Sequence, residues 1–440
     1  MQAVYLLYDL LLALALVISA PYWLARLVGQ GKYREGICQR LGKVPPHVRA
    51  LASRGKPVIW VHAVSVGEIL AIASLVEQMR TRFAEYTIAV SSTTSTGHAL
   101  ASARFGAENV FYFPLDLSFA CGRYLSLLRP RLVVVAETEF WPNFLHAARH
   151  TGARVAVVNA RISDRSFPRY RRFSSLLRQV LENVDSFLAQ SETDAARLTA
   201  IGAEPRRIQV AGNLKFDAAA AGAHAAVEQL RDRIHEVDGE AIVVFGSTVE
   251  GEEALLIESF RRILESHPRG IVVLAPRHKE RFAAVAGLLS AAGIRFTRRS
   301  EPNWLRDLQP GQVLLLDTIG ELAAVYSLAD VAFVGGSLVP RGGHNILEPA
   351  GFAVAILVGP HTENFRDIVQ KFEAGGGVVV VCDENDLLSH MLELLSNPEK
   401  RKQLGGRAYG VLRENRGATE RTLAELERVL AREAPGGARP

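Results

Sequence analysis

The motif SVGE at Ser65–Glu68 places a carboxylate between a short apolar run and a helical pattern. The run before it, PVIWVHAV, is typical of a buried strand, and ILAIASLVEQMRTRF after it is typical of a helix. A carboxylate at a strand's end, beside a flexible glycine, is suited to act as a general base. Alternatively, Glu68 is a first-turn residue favoured by the helix macrodipole, which would also hold the carboxylate ionised.

A second pair of carboxylates, Glu137 and Glu139, follows the apolar run RLVVVAE and precedes a helix that WP starts. Alternate residues of an extended segment share a face, so the two side chains converge on one site or one of them caps the helix. Further along, GNLKFD at Gly212–Asp217 places Lys215 at a strand's end, as a mobile charge suited to an anionic group. A solvated surface lysine is the alternative.

Three loops in the second half of the chain are suited to phosphate. They are GSTVEGEE at Gly246–Glu253, PRH at Pro276–His278 and GGSLVPRGGHNILEP at Gly335–Pro349. Gly342 and Gly343 leave little bulk before the helix that Asn345–Glu348 begins, so backbone N–H groups there can meet a phosphate. Arg277 and His278 supply cationic or hydrogen-bonding groups. Together the loops predict a nucleotide-phosphate site.

A basic segment, ARISDRSFPRYRRF, interleaves arginines with aromatic residues. The arginines are Arg161, Arg165, Arg169, Arg171 and Arg172. In a membrane-tethered protein such a segment should face anionic lipid headgroups. A solvated face is one alternative and nucleic-acid binding another, although the apolar N-terminus counts against nucleic acid.

Motifs of several other enzyme classes are absent from the sequence. There is no GxxxxGK[ST], no GxGxxG after the first strand, no HExxH and no DxD pair. His62, His146, His150 and His344 make no spaced ligand set, and buried hydrogen bonding is the commoner fate of such residues. These absences argue against kinases, P-loop ATPases, ordinary dehydrogenases and zinc proteases, and for a site without a metal.

The elements that must position these residues alternate between strands and helices. The strand patterns are PVIWVHAV, YTIAVSST, NVFYFP, RLVVVAE, RVAVVNA, SFLAQ and IQVAGN, then AIVVFGS, GIVVLAP, QVLLLD, VAFVGGS, AILVGP and GVVVVCD. Runs that are apolar throughout belong to parallel strands covered by helices on both faces. The sequence therefore predicts an α/β protein with two Rossmann-like, doubly wound domains facing a cleft, where ligands bind at the carboxyl ends of the strands.

A helical stretch over Asp217–Gly239 separates the two sets of strand patterns. We therefore predict a first domain over residues 31–216 and a second over residues 217–432. The helical pattern from Pro398 to about Arg432 could pack back across both, and residues 433–440 form a disordered tail.

The first thirty residues predict a membrane helix. Between Ala3 and Val28 the only charges are Asp9 and Arg26, and about 20 apolar residues suffice to cross a bilayer. No basic region precedes the run, which argues against a cleaved signal peptide. Basic residues just after it place the rest of the protein on the cytoplasmic side, although Asp9 also allows a helix that lies in the interface.

Charge and cysteine content agree with this location. The net charge of +5 favours an anionic partner without choosing one. The three cysteines are scattered and lack CxxC spacing, so a disulfide framework is not expected and a reducing compartment fits.

Seven motifs together resemble one family. SVGE, ETEFWPN, NARIS, GNLKFD, APRH, FVGGSL and RGGHNILEP, which lie between about Leu24 and Arg432, are similar to those of bacterial 3-deoxy-D-manno-octulosonic acid (Kdo) transferases. ETEFWPN and GGHNILEP are the most specific. The resemblance implies a GT-B fold, the bacterial inner membrane, and inverting transfer of Kdo from CMP-Kdo to the lipid A precursor, lipid IVA, in lipopolysaccharide biosynthesis.

The resemblance also implies roles for particular residues. Glu68 matches the general base, Glu137 and Lys215 match positions that stabilise the transition state, and no metal or cofactor is required. The CMP-site positions are Ser247, Pro276, Arg277, His278, Ile319, Gly320, Glu321, Asn345, Ile346, Leu347 and Glu348. One departure is Gln39, where many members have glutamate.

Two other functions stay open from the sequence. One is a membrane-associated GT-B enzyme that uses a UDP-sugar, and the other is a non-catalytic membrane adaptor. The number of Kdo residues transferred depends on acceptor-site shape and is not predicted.

Overall fold

The computed structural model describes Tyr5, residues 8–19, Pro21, residues 36–217 and residues 225–432. The chain forms two compact units. The first comprises Met1–Ala218 with Arg416–Pro440, and the second comprises Ala219–Asn415. The first unit is therefore built from two separate stretches of sequence.

The first unit contains a seven-stranded parallel sheet with the order β3-β2-β1-β4-β5-β6-β7. Every residue of β1, β2 and β4 is buried, because helices cover both faces of the sheet. The strands are β1 Val58–His62, β2 Thr87–Ser92, β3 Val110–Tyr112, β4 Leu132–Ala136, β5 Arg154–Ala160, β6 Ser186–Ala189 and β7 Ile208–Val210.

The helices of the first unit come from both stretches of the chain. They are α1 over residues 8–19, α2 Ile37–Arg40, α3 Pro46–Ala52, α4 Val66–Arg82, α5 Ser95–Phe105, α6 Ser118–Leu128, α7 Pro142–His150, α8 Phe167–Arg172, α9 Ser174–Leu181, α10 Glu192–Ala200 and α21 Ala418–Ala431. The last of these packs Leu423, Leu426 and Val429 into the same buried cluster as residues of β1, β4 and α4.

The second unit contains another seven-stranded parallel sheet, with the order β10-β11-β9-β8-β12-β13-β14. Its strands are β8 Ile242–Thr248, β9 Ile271–Pro276, β10 Phe296–Arg298, β11 Gln312–Leu315, β12 Val331–Val334, β13 Ala355–Val358 and β14 Val379–Val380. Strand β10 was not predicted, because its three residues, FTR, lack an apolar run and only the middle one is buried.

The helices of the second unit are short in the middle of the unit and longer towards its end. They are α11 Ala225–Glu236, α12 Glu252–Leu255, α13 Ile257–Ser266, α14 Phe282–Ala291, α15 Trp304–Asp307, α16 Leu322–Val325, α17 Leu347–Ala350, α18 Arg366–Ala374, α19 Glu384–Ser396 and α20 Pro398–Glu414. The helical pattern from Pro398 is thus two helices, because Gly417 adopts a left-handed conformation between α20 and α21.

The prediction of an α/β protein with two parallel sheets is confirmed. Within the described part of the chain, no helix is both long and apolar enough to cross a membrane. The predicted membrane helix over residues 1–30 lies partly outside the described residues, and the predicted disordered tail over 433–440 lies wholly outside them.

Candidate functional site

Glu68 lies in the first turn of α4, directly after β1. Ser65 is the N-cap of this helix, and its hydroxyl accepts from the Glu68 N–H at 3.4 Å. The Glu68 carboxylate accepts from the Val64 N–H at 2.8 Å and from the Ser65 hydroxyl at 3.1 Å. Glu68 therefore has the structural role of a capping residue, and the residue as a whole is half-buried.

The expectation that the helix macrodipole holds Glu68 ionised is wrong. The pKa of Glu68 is raised to about 7, chiefly by burial and also by the carboxylates of Glu137 and Glu139, against the lowering by the bonds from Val64 and Ser65. Desolvation outweighs these bonds because they satisfy only part of the charge. At neutral pH the group is divided between its two protonation states.

Glu137 follows β4 in a left-handed backbone conformation, with φ of 56°. Its N–H donates to the Val158 carbonyl on β5 at 2.9 Å, which fixes this turn to the sheet. Burial raises the pKa of Glu137, while the cations of Lys215 and Arg161 act to lower it. Non-glycine residues in this conformation are strained, and such strain is concentrated at functional sites.

Glu139 belongs to the same cluster. Burial and the charge of Glu137 raise the pKa of Glu139, and Glu139 in turn raises that of Glu68. The structure thus decides between the two interpretations of the Glu137–Glu139 pair, because the carboxylates converge and neither caps α7. The N-cap of α7 is Trp141 without a side-chain bond, and Asp116 accepts from the first free N–H groups instead.

Lys215 lies in a short 3-10 helix, Leu214–Asp217. The Asn159 side chain, at the end of β5, accepts from the Leu214 N–H at 3.0 Å. Asp217 accepts from the N–H groups of Gly417 at 2.7 Å and Thr419 at 2.5 Å, at the start of α21. These bonds tie the short helix to β5 and α21, so Lys215 is held at the strand ends and is not a solvated surface lysine.

In the second unit, a polar cluster forms around His344. The pKa of His344 is lowered to about 4, chiefly by burial and also by Arg277 and His278, so the ring is neutral. Burial raises the pKa of Glu348, while Asn345 and Arg277 lower it, and Asn345 donates to the Glu348 carboxylate at 3.1 Å. The loops after β9 and β12 therefore come together, as the sequence predicted.

The glycine-rich loops are not all open to a phosphate. The buried Glu252 carboxylate accepts from the N–H groups of Gly336, Ser337 and Leu338 at 2.8 to 3.1 Å, and from Val249 at 3.3 Å. The Gly343 N–H donates to a backbone carbonyl at 2.8 Å. The helix expected at Asn345–Glu348 begins at Leu347 and has four residues. The prediction that backbone N–H groups of the loop after β12 meet a phosphate is therefore wrong for these four N–H groups, which already donate within the protein.

The loop after β11 completes this part of the second unit. The Glu321 carboxylate accepts from Arg299 at 2.8 Å and from the Thr318 hydroxyl at 2.6 Å, which fixes both ends of the loop. Ile319 at its tip is 71% exposed, and Gly320 has φ of 97°.

The five arginines of the basic segment separate into two sets. Arg161 is half-buried and acts on the carboxylate of Glu137. Four others, Arg165, Arg169, Arg171 and Arg172, are exposed on or before α8. Arg161 therefore belongs with the carboxylate cluster, which was not predictable because its spacing does not distinguish it from the other arginines.

His344 and Glu252 were not among the residues predicted for the site. His344 stands directly before Asn345 in GGHN, and its Nε2 is buried without a partner in the described structure. Glu252 stands after GSTVEG, where a carboxylate one turn from a strand's end was a usable signal. Among the described residues, no group of three or more His, Cys, Asp or Glu side chains could hold a metal ion.

The fold and these two clusters define the class of protein. Solved structures of the same fold include a putative UDP-N-acetylglucosamine 2-epimerase from Listeria monocytogenes, with TM-score 0.56 and 18% identity, covering 85% of this chain and 96% of that chain. A glycosyltransferase from Rickettsia africae has TM-score 0.55 and 12% identity, covering 86% of this chain and 100% of that chain. The class is therefore that of proteins with two Rossmann-like sheets in one chain.

Sequence relatives narrow the class to one family. Residues 35–218 match the model of the 3-deoxy-D-manno-octulosonic-acid transferase (kdotransferase) family. The Kdo transferase of Haemophilus influenzae is 36% identical, over 91% of this chain and 93% of that protein. That of Bordetella pertussis is 37% identical, over 86% and 89%. The chain belongs to the 3-deoxy-D-manno-octulosonic acid transferase family, which confirms the resemblance seen in its motifs.

Proposed function

We propose that the chain transfers Kdo from CMP-Kdo to a hydroxyl of the lipid A precursor, with inversion at the anomeric carbon. The observation that carries this proposal is the half-buried Glu68 carboxyl, which is held in the first turn of α4 and has a pKa raised to about 7. A general base works best when its pKa is near the operating pH. Glu68 takes the proton from the attacking hydroxyl.

The bonding changes follow from this role. The acceptor oxygen forms a bond to the anomeric carbon as Glu68 accepts its proton, and the bond from that carbon to the CMP phosphate oxygen breaks. CMP leaves with the electron pair. The cations of Lys215 and Arg161 oppose the rise that burial causes in the pKa of Glu137, and we infer that all three groups balance charge that develops in the transition state.

The second unit supplies the donor site in this proposal. Arg277 and His278 bind the CMP phosphate, and the half-buried Glu348 carboxylate accepts from ribose hydroxyls. Neutral His344 is placed to hydrogen-bond the same nucleotide. We infer that the remaining positions that match the CMP site shape this pocket, and that these fixed side chains stabilise the leaving phosphate without a metal. Full activity in excess EDTA is the expected result.

The same proposal places the chain at the cytoplasmic face of the bacterial inner membrane. Residues 8–19 are helical and expose Leu10, Leu11, Leu14, Val17 and Ile18. The exposed arginines of α8 stand next to Phe173 and Leu176, which are 53% and 46% exposed. Apolar side chains beside arginines suit a surface of anionic lipid.

Vesicle flotation tests this location. Reversing Arg171 and Arg172 to glutamate should weaken binding to vesicles with anionic lipid, since each basic residue near such a surface contributes about 1 kcal/mol. Reversing Arg261 and Arg262 in the second unit is the matched control and should leave binding unchanged. Equal binding by both double variants would contradict an orienting role for α8.

Mass spectrometry of the lipid tests the reaction. Detergent-solubilised protein with CMP-Kdo and lipid A precursor should yield lipid heavier by one or more Kdo residues, and the increments give the number transferred. Glu68→Gln should slow product formation by about 10²–10⁴, whereas Glu77→Gln, a control on the exposed face of α4, should not. Product with a UDP-sugar but not with CMP-Kdo would overturn the donor, and no product with any donor would favour a binding protein.

A further inference from the structure

The first turn of α1 carries a carboxylate within an otherwise apolar run. An ionised Asp9 would be costly in lipid, so its partners decide its role. One carboxylate oxygen of Asp9 accepts from the Asn143 side-chain amide at 2.6 Å and from the Ser118 N–H at 3.3 Å. The other accepts from the Ser118 hydroxyl. The carboxylate of Asp9 is thus hydrogen-bonded to residues of α6 and α7 in the first unit.

Asn143 joins this carboxylate to a buried polar centre. The same Asn143 amide nitrogen donates to the Asp116 carbonyl at 2.6 Å. The Asp116 carboxylate accepts from the N–H groups of Asn143 at 3.1 Å and Phe144 at 2.7 Å. Asn143 and Asp116 are 2% and 3% exposed, so solvent does not compete for these bonds.

A second contact fixes the N-terminal segment to the same helix. The Tyr5 ring stacks on His146, one turn after Asn143 on α7, with ring centroids 3.9 Å apart. The Tyr5 hydroxyl accepts from Asn183 at 3.1 Å. The N-terminal segment therefore contacts α7 through two side chains on neighbouring turns.

The segment between Glu137 and α7 is short and hydrogen-bonded. The Phe140 N–H donates to the Thr138 carbonyl at 2.9 Å, and the Trp141 N–H donates to the Glu139 carbonyl at 3.0 Å. Because these turns are short and hydrogen-bonded, a displacement of α7 would also shift Glu137 and Glu139, which precede it.

We propose that Asn143 is a positioning residue that couples α1, through Asp9, to the segment carrying Glu137 and Glu139. The inference rests on the proposed function, since α1 is taken to lie in the membrane that holds the acceptor. The Asp9–Asn143 bond then sets the carboxylates relative to the acceptor hydroxyl. An acceptor in a bilayer needs this coupling, whereas one in a detergent micelle reorients freely.

The test compares transferase activity on the lipid acceptor in vesicles and in micelles. Asp9→Ala and Asn143→Asp should each lower the vesicle-to-micelle ratio of kcat/KM about tenfold, the loss expected for one hydrogen bond to a charged group. Asp232→Ala, an exposed aspartate of the second unit, is the matched control and should leave the ratio unchanged. Equal losses in vesicles and micelles would show a purely structural role and overturn the proposal, as would an unchanged ratio.

Hydrogen exchange supplies a readout that does not depend on the reaction. Asp9→Ala should speed amide exchange both in residues 8–19 and in α7, whereas Asp232→Ala should change neither. Unchanged exchange in α7 would overturn the coupling even if wild-type protein transfers Kdo. Absence of transfer by wild-type protein, with exchange changed as expected, would instead contradict the proposed function. If Asn143→Asp fails to fold, the Asp9→Ala result decides.

Discussion

Glu68 in the first unit and Glu252 in the second occupy similar places and have different hydrogen-bond partners. Each lies in the first turn of a helix that follows a buried strand, and burial raises the pKa of each. Glu252 accepts four backbone N–H groups, two on each oxygen. Glu68 accepts one backbone N–H and one hydroxyl. The Glu252 carboxylate, which has two hydrogen bonds on each oxygen, holds loops together. The Glu68 carboxylate has unused acceptor capacity and can take a proton from substrate.

The largest expected effect is on the rate of transfer in Glu68→Gln. An amide cannot accept the proton, so kcat should fall by about 10²–10⁴, the usual contribution of a general base. Stability should change by only about 1 kcal/mol, because the glutamine carbonyl oxygen can still accept from the Val64 N–H and one hydrogen bond contributes about that amount. Initial rates and a thermal melt would check both, and a variant with more than a tenth of wild-type kcat would remove Glu68 from the proposed role.

Glu252→Gln should mainly affect stability. Glutamine has one acceptor oxygen, so two of the four N–H groups would lose their acceptor and face its amide hydrogens. Leaving buried donors unsatisfied costs about 1–3 kcal/mol. Urea unfolding should show this loss, together with a higher KM for CMP-Kdo, because the loops after β8 and β12 are no longer joined. Normal stability would contradict the bracing role.

The pH dependence of kcat/KM should report the ionisation of Glu68. Glu68 acts only when ionised, and its pKa is raised to about 7, so kcat/KM should fall about tenfold per unit below pH 7 and level off above it. Lowering the pH removes the base, and raising it restores the base. A flat profile from pH 5.5 to 8 would mean that another group accepts the proton.

The smallest effect concerns the neighbours of Glu68. Glu139 raises the pKa of Glu68, so Glu139→Gln should shift the midpoint of the profile to lower pH by a few tenths of a unit. Glu77→Gln, on the same helix as Glu68 but exposed, should leave the midpoint in place. An upward shift in Glu139→Gln would contradict the electrostatic coupling of the cluster.

The strands of the two sheets, except β10, and the locations of the two clusters could be predicted from the sequence. Strands buried on both faces are apolar throughout, so all but β10 could be read from the residues, and the motifs fall where strands end. The first-turn position of Glu68 was also predictable, because SVGE has the spacing of a capping motif.

Long-range pairing was not predictable from one sequence. Asp116 caps α7 across 27 positions, and Asp9 meets Asn143 across 134. Neither pair shares a local pattern, so only the folded chain shows that Asp9 is anchored and that Glu139 is free of a capping role. The expectation that Glu68 is held ionised was wrong for the same reason. Desolvation depends on neighbours that are distant in sequence.

The two-part composition of the first unit has a consequence for its synthesis. Residues up to Ala218 leave the ribosome first, but the core of the first unit is completed only by Leu423, Leu426 and Val429 of α21. The second unit, Ala219–Asn415, is continuous and complete before α21 emerges. Because α21 is synthesised last, the apolar surface of the first unit that it covers stays exposed until then, so we expect the core of the first unit to be completed after the second unit is synthesised.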